Sequence, residues 1–270
     1  MLPGDRRKKK INDRVTVITL TGDRPLAFAL CKLWMSGQTL KPDQWIVVDD
    51  GKTPLVPTPE MTYIRREPRR DDPSHTMILN MRAALPAIAG EKILFLEDDE
   101  YYAPRYVEEM ARRLEEYEVV GIARSKYYHL PTGGFLRHSN MDHASLAQTG
   151  FRGSFLPEFA MLLKGDMFLD IRIWKKVGNT QKLKWGEETC VVGERIVGNG
   201  RGLLFDDGIE SNLYVGMKGL PGRMGIGCGH REYKEYLKDT PDREVLRRWI
   251  PGNYQHYLDI LAGKEPNVSG

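Results

Sequence analysis

Short apolar runs of β type alternate with stretches of helical spacing through the first 125 residues, which confines this part of the chain to a mostly parallel sheet covered on both faces. Val15 to Leu20 is the first such run. Leu26, Leu30, Leu33 and Trp34 then share a helical face, with Gly37 as a stop. Trp45 to Val48 predicts the second strand, leaving room for a crossover helix between the two. The Pro-rich stretch 53–59 predicts a loop, and Thr62 to Ile64 a short third strand. Ile78, Met81, Leu85 and Ile88 predict a second helix that kinks or ends at Pro86. Lys92 to Leu96 suits a strand buried on both faces. A helix opened by Pro104 and a strand over Val119 to Ala123 complete the series. Beyond Ser125 the pattern loosens. Residues 126–160 read as long loops, 198–230 are Gly-rich, and 231–262 turn helical towards their end.

The composition is that of a globular chain: 41% apolar and 29% charged over 270 residues. The three cysteines, Cys31, Cys190 and Cys228, are far apart, which excludes a zinc ribbon or a disulfide framework and fits a reducing compartment. The basic run Arg6 to Lys10 leads into Ile11-Asn12-Asp13-Arg14 rather than an apolar segment, unlike a secretory signal. No run approaches the roughly 20 apolar residues of a membrane span. The expectation is a soluble, intracellular, cytoplasmic protein.

Three motifs sit at strand ends. The first is Glu97-Asp98-Asp99-Glu100, directly after a buried strand. Adjacent carboxylates repel unless a cation or solvent compensates, and oxygen ligands suit Mg²⁺ or Mn²⁺. Strand alternation predicts Glu97 and Asp99 on one side, Asp98 and Glu100 on the other. The same acids also fit a solvated loop favouring the N-terminus of the next helix. The second motif is Asp49-Asp50-Gly51, which suits contact with a nucleotide's ribose or base, or simply a turn. The third, Thr19 to Pro25, joins the first strand to the first helix, where nucleotide-binding folds contact phosphate or base. It has neither GxGxxG nor GxxxxGK[ST], which argues against NAD, FAD and P-loop ATPases.

In this order the motifs resemble those of the GT-A glycosyltransferases, above all the family-2-like group. The resemblance covers residues 14–125 well and 155–230 loosely. It implies an α/β, GT-A (Rossmann-like) fold: a mostly parallel sheet flanked by helices, with a loop-rich acceptor-binding half. Glu97-Asp98-Asp99 matches the family's DxD motif, with Asp99 and Glu97 as metal ligands and Asp98 on the donor. Asp49-Asp50-Gly51 matches its Asp-Asp-Gly-Ser motif, with Lys52 in place of Ser. Thr19, Thr21, Arg24, Asp49 and Asp50 are then donor contacts. Trp185-Gly186-Glu187-Glu188-Thr189 matches the stretch holding the catalytic acid pair, so Glu188, with Glu187 beside it, is the expected general base. His230 falls where many such enzymes complete the metal or diphosphate site.

The family implies a nucleotide-sugar donor, a UDP-sugar first among them, with Mn²⁺ or Mg²⁺ and inversion at the anomeric carbon. The expected organisation is a basic tail over 1–13, a nucleotide-sugar-binding half over 14–125, and an acceptor-binding and catalytic half of the same domain over 126–270. The acceptor stays open between a glycan, a protein and a hydroxymethylated base in DNA, as in some phage enzymes. The basic cluster Arg65, Arg66, Arg69 and Arg70 allows DNA. Two rivals are weaker. A sugar-nucleotide pyrophosphorylase needs a longer Gly-rich loop after the first strand. A non-enzymatic nucleic-acid-binding protein gives the acid run no purpose.

Overall fold

The computed structural model describes residues 13–73, 76–137, 143–163, 172–174, 201–208, 212–222 and 242–264. The first part of the chain builds β1 (Val15–Thr21), α1 (Pro25–Ser36), β2 (Gln44–Asp49), β3 (Met61–Arg65), α2 (Met77–Ala84), β4 (Lys92–Phe95), β5 (Tyr101–Tyr102), α3 (Tyr106–Arg113) and β6 (Val119–Ala123). Later come β7 (Lys126–His129), β8 (Gly134–Arg137), β9 (His143–Ser145), β10 (Thr149–Arg152), α4 (Leu156–Leu162), β11 (Arg172–Trp174), β12 (Gly202–Asp206), β13 (Tyr214–Lys218), α5 (Arg243–Trp249) and α6 (Tyr254–Leu261).

A seven-stranded sheet in the order β12-β6-β10-β4-β1-β2-β3 forms the centre. The strands pair in parallel except β10, which runs antiparallel between β4 and β6. The α/β, mostly parallel architecture is therefore as expected. Residues 126–160 are not the long loops the sequence predicts. They form β7 to β10 and enter α4, and β10 occupies the middle of the main sheet. The chain beyond residue 125 thus shares one sheet with the chain before it. Among the described residues no helix is long and apolar enough to cross a membrane.

Strand alternation divides the core. Val15, Val17, Val47 and Leu94 face Phe28, Leu30 and Trp34 of α1 and Val107 and Met110 of α3. Ile18, Ile46, Val48, Ile93 and Phe95 face the other way, onto Ile78 and Met81 of α2 and onto Phe151 and Phe159. Phe151 stands 4.8 Å from Phe159 and 5.7 Å from Phe95, centroid to centroid. Each such buried side chain contributes about 1.5–3 kcal/mol of transfer free energy. Pro25 starts α1 and Gly37 caps it. Pro86 sits in a 3₁₀ turn over Leu85–Ala87 that ends α2, because it cannot donate to a helical ladder.

A second, four-stranded sheet runs β5-β13-β7-β8. Since β5 begins one residue after Glu100, this sheet stands beside the acid run. On the α1 side, α6 packs Tyr257 against Trp34 at 6.0 Å between ring centroids.

Candidate active site

Parallel pairing puts the C-terminal ends of β1, β2, β4, β6 and β12 on one edge of the sheet, where ligands of open α/β folds bind. After β4 the Leu96 N–H still donates to Ile18 O, and then the chain turns, with Glu100 N–H reaching Glu97 O at 3.4 Å. The predicted alternation fails at this turn. Glu97, Asp99 and Glu100 each offer a carboxylate oxygen within 4.8 Å of one another, so Glu100 joins the side assigned to Glu97 and Asp99. Tyrosines pin the turn from beneath. The Tyr102 hydroxyl accepts from Glu97 N–H at 3.0 Å and donates to Ala147 O at 3.0 Å, and Tyr106 donates to Phe95 O at 3.2 Å.

The acids are deeply placed: Asp98, Asp99 and Glu100 are 1%, 5% and 2% exposed, while Glu97 is half-buried. Thr21 Oγ1 donates to Asp98 Oδ2 at 2.7 Å. Arg24 Nη1 donates to Asp99 at 2.5 Å. Arg24 Nη2 lies 3.1 Å from Asp98 Oδ1 without hydrogen-bond alignment, so that buried oxygen has no hydrogen-bond partner. Glu100 accepts from Met217 N–H at 2.5 Å and from Lys218 Nζ at 2.5 Å. Burial raises the Glu100 carboxyl to about 8 against the opposing pull of Lys218. Burial, then Asp99, raises Glu97, and burial raises Asp98 against the attraction of Arg24. Burial alone would lower Arg24, yet Asp98 and Asp99 hold it above its ordinary value.

Four carboxylates thus meet two paired cations, Arg24 and Lys218, among the described residues. With every carboxyl ionised the surplus would be two negative charges, which burial opposes at Glu97 and Glu100. A divalent cation on hard oxygen donors fits both the charge and the ligand chemistry. Both Glu100 oxygens already accept hydrogen bonds, and Asp99 Oδ2 accepts from Arg24.

The other strand-end motifs adjoin this turn. The Gly22-Asp23 and Asp50-Gly51 loops interlock. A Cβ at Gly22 would stand 2.3 Å from Asp50 Oδ1, and one at Gly51 would stand 2.7 Å from Asp23 N, so both positions need glycine. Asp23, at φ 55°, accepts Lys52 N–H at 2.8 Å. Asp50 pairs with Arg66 at 2.6 Å. Asp49 is fully buried and accepts from Gly51 N–H at 2.8 Å, Leu55 N–H at 2.9 Å and the Tyr63 hydroxyl at 2.8 Å. Its lone pairs are spent on shaping the loop, while Asp50, also buried, is engaged by Arg66.

Thr19 is not brought to the edge. It is fully buried and accepts from Trp45 Nε1 at 2.9 Å. It lies two residues below Thr21 on β1, roughly 6.6 Å down the strand and inside the core. Glu187, Glu188 and His230 lie outside the described residues. Sequence reasoning missed Glu100 as a cluster member, Lys218 as its counter-ion and Tyr102 as the pin. For Tyr102 a signal existed, since an aromatic pair directly after an acid turn has little other reason to be buried.

No protein-family model matches the chain, and no match was found among curated proteins. Solved structures give weak likenesses. S. aureus TarS residues 1–349 in complex with UDP-GlcNAc is 16% identical, covering 93% of this chain and 71% of that one, with a TM-score of 0.48. TarS 1–349 alone is 15% identical, covering 92% and 69%, at 0.46. The mannosyltransferase PcManGT from Pyrobaculum calidifontis, in complex with GDP-Man and Mn²⁺, is 15% identical at a TM-score of 0.38. The match covers 54% of this chain and 46% of the mannosyltransferase's length.

Proposed function

We propose that this chain is a GT-A type glycosyltransferase that moves a sugar from a nucleoside-diphosphate sugar, a UDP-sugar first, to an acceptor hydroxyl with inversion. The observation that supports this most is the buried acid turn at the C-terminal edge of β4, where Glu97, Asp99 and Glu100 bring carboxylate oxygens within 4.8 Å of one another. Asp99 and Glu97 would hold Mn²⁺ or Mg²⁺, with His230 completing the site. When bound, the ion supplies Lewis acidity to the departing diphosphate. Asp98, fixed by Thr21 and Arg24, orients the donor. Asp50 and the Gly51 backbone receive the nucleoside, with Asp49 holding their loop in shape. Glu188, or Glu187 beside it, takes the proton of the acceptor hydroxyl as that oxygen attacks the anomeric carbon.

A DNA base as acceptor is the narrower form of this reading. Arg65 pairs with buried Asp49 and exposed Glu67, and Arg66 with Asp50 and Asp72. Arg69 and Arg70 stay exposed, so the basic cluster offers phosphates about half of what its sequence promises. The test is a hydrolysis and transfer screen of nucleotide sugars with Mn²⁺, with DNA and glycan acceptors in parallel. Turnover of one donor, lost in excess chelator, is the expected result. Turnover undiminished by chelator would overturn the metal mechanism, and none with any donor would overturn the assignment.

A further inference from the structure

The acid turn has the nucleoside loops on one side, over β1 and β2. On its other side, where β6 and β12 end and β10 begins, the described residues include side-chain N–H donors that have no acceptor. Arg124 follows β6 at φ 54°, a left-handed conformation rare for a side chain of this kind and concentrated at functional positions. Its Nη1 donates to Asp206 Oδ2 at 3.1 Å, and its Nε–H has no partner. Arg137, on β8, sends Nη2 to the same Asp206 carboxylate at 3.2 Å, and its Nε–H also has no partner. Among the described residues two guanidiniums share one carboxylate, which leaves one positive charge over. Lys126 does not alter that balance, because it is paired with Asp207 at 2.6 Å.

The third donor is Gln148, fully buried at the start of β10. Its Oε1 accepts from Ser125 Oγ at 2.8 Å and from Ser145 N–H at 3.2 Å. The backbone donor fixes which end of the amide is oxygen, and the Nε2 that remains is buried without a partner. Ser125 is the residue after Arg124. Ala147, the residue before Gln148, accepts from the Tyr102 hydroxyl that holds Glu97. Gln148, and Arg124 through its neighbour Ser125, are therefore tied to the acid turn through one tyrosine. An unmade hydrogen bond on a buried donor costs about 1–3 kcal/mol, and a charged oxygen acceptor is what would satisfy all three.

We propose that Arg124, Arg137 and Gln148 form an oxyanion site on the acceptor side of the acid turn, receiving a negatively charged group of the acceptor. The choice of acceptor side rests on the glycosyltransferase reading above; the anion chemistry stands on these residues alone. Arg124 and Arg137 keep 40% and 28% of their side chains exposed, while the three donor atoms without acceptors are themselves buried beneath that surface. A phosphate or a carboxylate would present the same oxyanion.

The test follows the arginine Nε–H signals by NMR, assigned from Arg124→Lys and Arg137→Lys. UDP with Mg²⁺ is titrated first, with binding measured by calorimetry. Inorganic phosphate and, separately, acetate are then added to the loaded protein. Both signals should shift together with phosphate or acetate, and whichever acts at lower concentration identifies the oxyanion. Arg124→Gln should weaken that binding roughly tenfold, as loss of a charged hydrogen bond implies. If UDP binds and neither anion moves the signals, the oxyanion site is wrong while the donor reading stands. If UDP itself moves them and the anions add nothing, the site belongs to the donor and the acceptor assignment falls. If the anions act but no nucleoside diphosphate binds, the site holds and the donor reading falls.

Discussion

Arg24 Nη1 donates to Asp99 Oδ2 at 2.5 Å, joining the loop after β1 to the acid turn 75 positions further along the chain. The same guanidinium faces Asp98, so one side chain is counter-ion to two adjacent carboxylates. Removing it should leave the turn with a larger uncompensated charge. Arg24→Gln is expected to lose about 3–5 kcal/mol, the usual cost of breaking a buried pair from one side. If the acids also hold a divalent cation, Mn²⁺ should raise the variant's melting temperature more than it raises that of the wild type. Thermal unfolding with and without Mn²⁺ checks both.

Lys126 and Asp207 form a second buried pair, at 2.6 Å with each side chain 1% exposed. Burial pulls Lys126 down and pushes Asp207 up, each toward its neutral form, while the partner opposes. Asp207→Ala should cost about 3–5 kcal/mol in denaturant unfolding, because the ammonium is left buried and unpaired. The double change Lys126→Met with Asp207→Leu should recover only part of that loss, because Leu213 N–H still lacks the acceptor that Asp207 Oδ2 supplies.

Asp49 is expected to be a structural acid. Asp49→Ala leaves Gly51 N–H, Leu55 N–H and the Tyr63 hydroxyl short of an acceptor, and stability should fall by about 2 kcal/mol or more. Asp50→Asn keeps a polar group of the same shape and should fold normally while weakening nucleoside affinity. Equal stability of Asp49→Ala and the wild type, by chemical denaturation, would contradict this division of roles.

Much of the fold is legible because a strand buried on both faces has few other ways to be written. Val15 to Thr21, Gln44 to Asp49 and Lys92 to Phe95 are such segments. Thr149-Gly150-Phe151-Arg152 is too short and mixed to announce a central strand. Phe151 anchors it, packing on Phe95 of a distant segment and on Phe159 of the helix that follows. The acid turn is legible from charge density alone. Lys218 is not, since its partner Glu100 lies 118 positions away and the surrounding sequence is Gly-rich. Thr19 and Thr21 share a face in any strand reading, and only the end of the ladder tells which of them meets a ligand.

Asp206 ties the Arg124 and Arg137 cluster to pH. Burial would raise its carboxyl, but Gly208 N–H, Arg137 and Arg124 outweigh that and hold it below the ordinary value. A carboxyl lowered in the folded state contributes stability above its unfolded value, about pH 4, and loses it as pH falls through the folded value. Asp206→Asn should therefore be less stable than the wild type at neutral pH, with the gap closing below about pH 4. A gap of constant size across an acid titration of unfolding would contradict the pairing.

The central claim is that the turn after β4 binds a nucleoside diphosphate through a divalent cation held by Asp99. Calorimetric titration of UDP into wild type and Asp99→Asn, each with and without Mn²⁺, tests it most directly. Asn keeps the size of the side chain and an oxygen for Arg24, and a circular-dichroism melt confirms that the variant is folded. The account predicts binding to the wild type that requires Mn²⁺ and is lost in folded Asp99→Asn. Mn²⁺-dependent UDP binding of equal affinity in the two proteins would contradict it.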